Sequence, residues 1–315
     1  MTFEKFVENM RNNIKNYLPE DYQDAEILIR KVQNINRTYT DLNVHKKDQV
    51  YAACISLEDL YELLDHGWTM EGLYWEVSRI VQTPPESILG MDPNDLTVYE
   101  KVKNKLFIRV SSAERSAELL KDVPHKIVEG IALTCHICDG KTQEYSAKVN
   151  NEMLAMYGVS EEQLFADAIA NSERLFPLWI TTTFELTKDQ ITRELRERGA
   201  TEEEIAHGLE LFRELSNESK MSVLTNRYIC NGAAVVFYPD TLEKVAKKLG
   251  GSFYLYPTSI HEMMAFLDDG GLDPDVIERT LHDGNRQITD ENEFLSNDVF
   301  HYDAELRMIL PCMRK

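Results

Sequence analysis

The sequence predicts an α+β protein: a small N-terminal helix-strand lobe, then a larger mixed α/β lobe carrying a helical hairpin insertion. Three observations predict it. Of the 315 residues, 43% are apolar and 28% charged, a globular balance on a chain long enough for two domains. Apolar residues recur at helical spacing in some segments and alternate in others. Paired helix-start signals flank Gly199 and mark two helices side by side.

The elements follow in chain order. Phe3, Phe6, Val7, Met10, Ile14 and Tyr17 form one helical face before Pro19. Alternation over Ala25–Val32, Thr38–His45 and Val50–Ile55 predicts three strands, with the first turn at Asn34–Arg37. Ser56 caps a helix bearing Leu57, Leu60 and Leu64, and a second carries Leu73, Val77 and Val81 before Pro84-Pro85. These elements make an N-terminal lobe over 1–86. The segment Ser87–Leu96, with Gly90 and Pro93, reads as a linker, and the main lobe spans 95–315.

In the main lobe, Leu106–Val110 and a long Ile127–Cys138 segment read as strands, with Glu144–Val149 pairing back. Asn150 starts a short helix that stops at Gly158, and Ser160 with Gln163 opens the next. Thr187 with Gln190 and Thr201 with Glu204 bracket a charged hairpin at about 188–215. Met221–Leu224 and Ala233–Tyr238 read as strands, followed by an Asp240-capped helix ending at Gly250-Gly251 and a strand Ser252–Tyr256. A helix with His261, Met263, Met264 and Phe266 starts at Ser259, Asp273-Pro274 opens another, and Asp298–Leu310 forms a hairpin about Asp303.

The chain carries 34 basic and 54 acidic residues, a net charge of -20, with no Lys/Arg-rich segment. Phosphate-mediated binding of nucleic acid needs a positive surface, so no nucleic-acid partner is expected. The longest strongly apolar run, Gly232–Tyr238, falls well short of the ~18 residues of a membrane span, so no membrane partner is expected. Five scattered cysteines are no disulfide framework, and the expected location is cytoplasmic.

Cys135-His136-Ile137-Cys138 has the spacing of a zinc or redox motif. On a strand, Cys135 shares a face with Ile127, Glu129, Ile131, Leu133 and Ile137, while Cys138 shares the other with His136. The two thiols then point apart, and neither a metal nor a cofactor is expected. His261-Glu262 lacks the second histidine of a zinc-protease helix, since position 265 is Ala265. Ser259 and Glu262 instead fit a capping box, which sets His261 in a first helical turn where a neutral imidazole can act as a base. No nucleophile elbow, P-loop or dinucleotide fingerprint occurs.

Short blocks run along the chain: Val123-Pro124-His125, Met156–Glu162, Arg174-Leu175-Phe176-Pro177, Val223–Asn226, Gly232-Ala233-Ala234, Tyr238-Pro239, Tyr256–Glu262, Leu295–Val299 and Tyr302-Asp303. Together they resemble DUF5688, a bacterial family of unknown function. Their order and spacing carry the resemblance across nearly the whole chain. Thr258 stands where the family usually has a serine, and Gly284 where a valine usually precedes Asn285. The resemblance implies a bacterial cytoplasmic protein and supplies no catalytic residues.

The expected function is therefore non-enzymatic binding of a macromolecule, with an unidentified protein as partner. The alternative is a hydrolase at the Tyr256–Glu262 strand-helix junction, drawing on Ser259, His261, Glu262, Asn226 and Asn285.

Overall fold

The computed structural model describes residues 1–34, 36–46, 53–83, 91–138, 146–215, 220–271, 276, 278–279, 282–284, 286 and 292–311. Asn285, Ser87–Gly90, the Asp139-Gly140 turn and the Asp273-Pro274 helix start lie outside the described residues.

The first helices form where the sequence supplies a cap and an apolar stripe. Thr2, Ser56 and Thr69 accept backbone N–H bonds at the starts of α1 (Phe3–Asn13), α2 (Leu57–Asp65) and α3 (Met70–Gln82). Their buried side chains pack against an antiparallel sheet of β1 (Glu26–Asn34), β2 (Arg37–His45) and β3 (Ala53–Ser56). Register pairs Ile27 with Val44, Ile29 with Leu42 and Leu42 with Ile55, so these five side chains share the helix-facing side. Arg30 pairs with Asp41, Val32 with Tyr39 and Asn43 with Cys54, so these lie on the opposite face.

A second sheet is built around β6 (Ile131–Cys138). Strand β4 (Leu106–Ser112) lies along one edge; β5 (His125–Val128) and β7 (Ser146–Lys148) share the other. Leu106, Ile108 and Val110 join Ile131, Leu133, Cys135 and Ile137 in the main core, with Leu164, Phe165 and Ala168 of the helix Glu161–Leu175. The long strand expected over Ile127–Cys138 is two strands. Glu129 and Gly130 take φ of 48° and 78°, the left-handed pair of a tight hairpin. Ile127 consequently pairs with Ala132, is 56% exposed and leaves the face of Ile131. Cys135 and Cys138 do point apart: Cys135 enters the main core and Cys138 packs with Phe107 and Phe176.

The third sheet has six antiparallel strands. In spatial order they are β13 (Met308–Pro311), β12 (Phe300–Asp303), β10 (Phe253–Pro257), β11 (Met263–Leu267), β9 (Met221–Asn226) and β8 (Leu178–Thr181). The chain is thus α+β with antiparallel sheets throughout.

The helical hairpin, Thr183–Glu197 and Glu202–Leu215, connects the neighbouring strands β8 and β9. It starts earlier than expected. Thr182 caps it through the Glu185 N–H, while Thr187 sits inside the helix with its hydroxyl on the Thr183 carbonyl. The Thr201–Glu204 box forms as read, with reciprocal bonds of 3.3 and 2.8 Å.

Two predicted elements change type. Gly232–Phe237 is a short 3-10 helix rather than a strand, entered through Asn231 at φ 49°. The helix expected after Ser259 is the strand β11, in which Met263 and Ala265 are buried. Tertiary context decides this segment: the edge of β9 is open to pair with it, Met263 opposite Leu224. A hydrogen-bonded ladder there outweighs local helical spacing.

Candidate functional site

The polar faces of the first two sheets look at each other across a cleft of about 690 Å³. Arg30, Val32, Tyr39 and Cys54 line it from the N-terminal sheet; Arg109, His136, Ser146 and Lys148 line it from β4, β6 and β7. Strand geometry makes this arrangement. Each sheet turns its apolar side chains to its own core, and period-two alternation sends the rest into the gap.

Asn36 fastens the tip of the β1–β2 hairpin to the main body. Its N–H donates to Ser116 Oγ at 3.3 Å, and its Oδ1 accepts from Ser112 N–H at 3.1 Å. Its side-chain amide also donates to the carbonyls of Asn292 and Phe294. Asn36 takes φ 55°, a conformation that asparagine tolerates better than most residues.

Arg109 is the most unusual group in the cleft. It rises from an otherwise largely apolar strand and has no carboxylate partner among the described residues. Nη2 donates to Asn231 Oδ1 at 2.6 Å, Nη1 reaches Ser146 Oγ only at 3.5 Å, and the solvent-inaccessible Nε has no acceptor. Burial pushes its pKa down to about 10. Lys148 beside it is also lowered, first by burial, with the Arg109 charge adding to the effect.

His136 is 2% exposed and is held neutral, its pKa driven well below the ordinary value by burial and then by the charges of Arg109 and Lys148. Its ring nitrogens meet Thr134 Oγ1 at 3.1 Å and Ser146 Oγ at 3.4 Å.

The structure also brings Ser259, His261, Glu262 and Asn226 together, in the β10–β11 turn and the end of β9. Ser259 Oγ donates to Glu262 Oε1 at 2.8 Å and accepts from the His261 N–H at 2.9 Å. Thr258 Oγ1 donates to the Glu262 carbonyl. Asn226 bridges its own loop, from the Cys230 carbonyl to the Tyr228 N–H. Nδ1 of His261 accepts from the Asn231 N–H at 3.0 Å, and Nε2 lies 3.2 Å from Glu293 Oε1. A hydrogen bond with Cys230, then the Glu293 charge, raises the His261 pKa against the cost of burial. Both ring nitrogens are therefore engaged, and the serine faces the glutamate rather than the histidine. This is a hydrogen-bonded turn, tied to the cleft only through Asn231 Oδ1 among the bonds described.

Sequence reasoning passed over Arg109, Ser146, Lys148 and Arg30. The available signal was an arginine inside the apolar run Leu106–Val110. Nothing in the sequence shows that its face meets another polar sheet. Among the described residues, no group of His, Cys, Asp and Glu is placed to hold a metal ion. No helix among them is long and apolar enough to cross a membrane.

Fold and cleft together define an antiparallel α+β protein with a polar, cation-lined groove between two sheets. The chain belongs to DUF5688, a family of unknown function whose pattern matches residues 3–304. No curated protein and no solved structure matches it.

Proposed function

We propose that this is a bacterial cytoplasmic binding protein that holds a small-molecule ligand between its first two sheets. The cleft carries this reading. Its volume of about 690 Å³ is that of a small-molecule site, and several polar side chains converge in it. Among the described residues, Cys54, Cys135, Cys138 and Cys230 form no disulfide, which supports a reducing compartment. The hydrolase alternative has weaker support, because neither ring nitrogen of His261 is left to take a proton from a nucleophile. A protein partner, expected from the acidic balance, finds no support in the cleft, whose charged lining is mostly basic.

The test is ligand capture. Wild type and Ser146→Phe, which sets a ring into the cleft beside Arg109 and His136, are incubated with a small-molecule cell extract, desalted, and their retained compounds identified by mass spectrometry. A compound held by wild type and lost from the folded variant supports the reading. No retained compound, or equal retention by both, refutes it.

A further inference from the structure

We infer that the ligand carries a doubly charged phosphate group, received by the Arg109 guanidinium and the Lys148 ammonium; this rests on the cleft reading above.

The charge distribution is the first reason. Arg30, Arg109 and Lys148 project into the cleft, against Glu118 and Asp122, and Arg30 lies 3.9 Å from Asp41. The balance is positive in a chain whose net charge is -20. A random surface of this protein would be acidic, so the local reversal marks a place for an anion.

The state of Arg109 is the second. Arg109 is half-buried with its Nε shut off from solvent, and desolvating a guanidinium with no carboxylate beside it among the described residues is costly unless something negative completes the site. Its two acceptors are neutral oxygens, one of them at 3.5 Å, and Nε has none. An oxyanion would supply acceptors and countercharge at once. Its charge would also offset the desolvation and the Arg109 repulsion that lower Lys148.

The number of donors favours phosphate over a single carboxylate. A guanidinium fork, an ammonium and a hydroxyl converge from neighbouring strands, which suits three oxygens and two charges better than two oxygens and one. Ser146 Oγ lies between Arg109 and His136 at 3.5 and 3.4 Å, long bonds that it can exchange for one to the anion. His136, being neutral, presents a hydrogen-bonding ring without competing for the charge. The cleft far exceeds a bare ion in volume, so the phosphate is the charged end of an organic ester.

The experiment is amide chemical-shift mapping with inorganic phosphate, ribose 5-phosphate, ribose and malonate, on wild type, Arg109→Gln and Lys148→Gln. Ribose 5-phosphate is expected to shift the amides of Arg109, His136, Ser146 and Lys148 and to bind at least about tenfold more tightly than ribose. Lys148→Gln should remove most of that preference and Arg109→Gln all of it. If Arg109→Gln does not fold, Lys148→Gln decides alone. Equal affinity for ribose and its phosphate, or an unchanged preference in Lys148→Gln, overturns the inference. Tighter binding of malonate assigns the site to carboxylates, and displacement of ribose 5-phosphate by a short DNA strand assigns it to nucleic acid; either overturns it. If phosphates leave the cleft untouched while Ser146→Phe still abolishes ligand capture, the phosphate inference falls and the cleft reading stands. If capture survives Ser146→Phe, the cleft reading itself falls.

Discussion

The cleft and the β10–β11 turn are both dense in polar side chains, and they use them in opposite ways. In the turn, Ser259, Glu262, His261, Asn231 and Asn226 bond to one another and to nearby backbone. In the cleft, the buried Nε of Arg109 has no acceptor among the described residues, and Lys148 is half-buried beside another cation. The two histidines make the contrast sharpest. His136 faces two cations and is held neutral; His261 faces Cys230 and Glu293 and is raised. Polar residues that converge are thus a site only when their bonding capacity is left open. Closed on themselves, they are architecture.

Substitutions break the comparison most strongly in the turn. A Cβ at Gly232 would lie 2.5 Å from the His261 carbonyl oxygen, 2.7 Å from the Asn226 nitrogen and 2.2 Å from Thr225 Oγ1. Two of these atoms are backbone and cannot swing away. Gly232→Ala is expected to cost about 3 kcal/mol or more, read from the denaturant midpoint. A loss under about 1 kcal/mol would show that the turn is loose and the contrast with the cleft misplaced.

Ser259→Ala comes next. It leaves the half-buried His261 N–H without its acceptor, and should cost about 1–3 kcal/mol. Arg109→Met should behave differently, holding stability or raising it by up to about 1 kcal/mol while removing ligand capture, because a desolvated charge with no carboxylate partner among the described residues opposes folding. Thermal melts of the two variants side by side check both expectations.

The histidines give a pH test with opposite signs. His136 has a lowered folded pKa, so folded and unfolded chains agree above its unfolded value of about 6.5. Below that, only the unfolded chain takes up the proton. Stability then falls with pH by up to about 1.4 kcal/mol per unit, and His136→Gln should flatten that slope. His261 is raised, so its contribution is full below about pH 6.5 and lost as pH rises through the folded value. His261→Gln should therefore lose most, relative to wild type, at acid pH. Parallel stability–pH curves for the two variants would contradict the assignment of one histidine to each environment.

The smallest effect is expected at Ile229, a β-branched residue at φ 53° and 45% exposed, next to the turn. Ile229→Gly should raise stability by about 0.5–1 kcal/mol by releasing backbone strain, as a melting-temperature increase would show. A decrease would mean that the side chain packs more than its exposure indicates.

Local chemistry was legible in the sequence wherever it acts over a few residues. Ser56 caps the helix of the apolar stripe that follows it, and Ser160 and Thr201 cap the helices that their spacing to Gln163 and Glu204 announces. Gly158 and Gly250 take left-handed φ at helix ends, and strand alternation places Cys135 and Cys138 on opposite faces. Each depends on backbone geometry repeating every two or 3.6 residues, so the chain carries the information within one turn or one pleat. The tertiary structure alone decided what each face meets. Met263–Leu267 has helical spacing yet becomes a strand because β9 lies beside it. Arg109 and Lys148 read as ordinary strand residues until a second sheet, far away in sequence, turns its own polar face toward them across a cleft. Pairing between distant segments depends on the shape and unsatisfied bonds of both surfaces, and neither exists until the chain has folded.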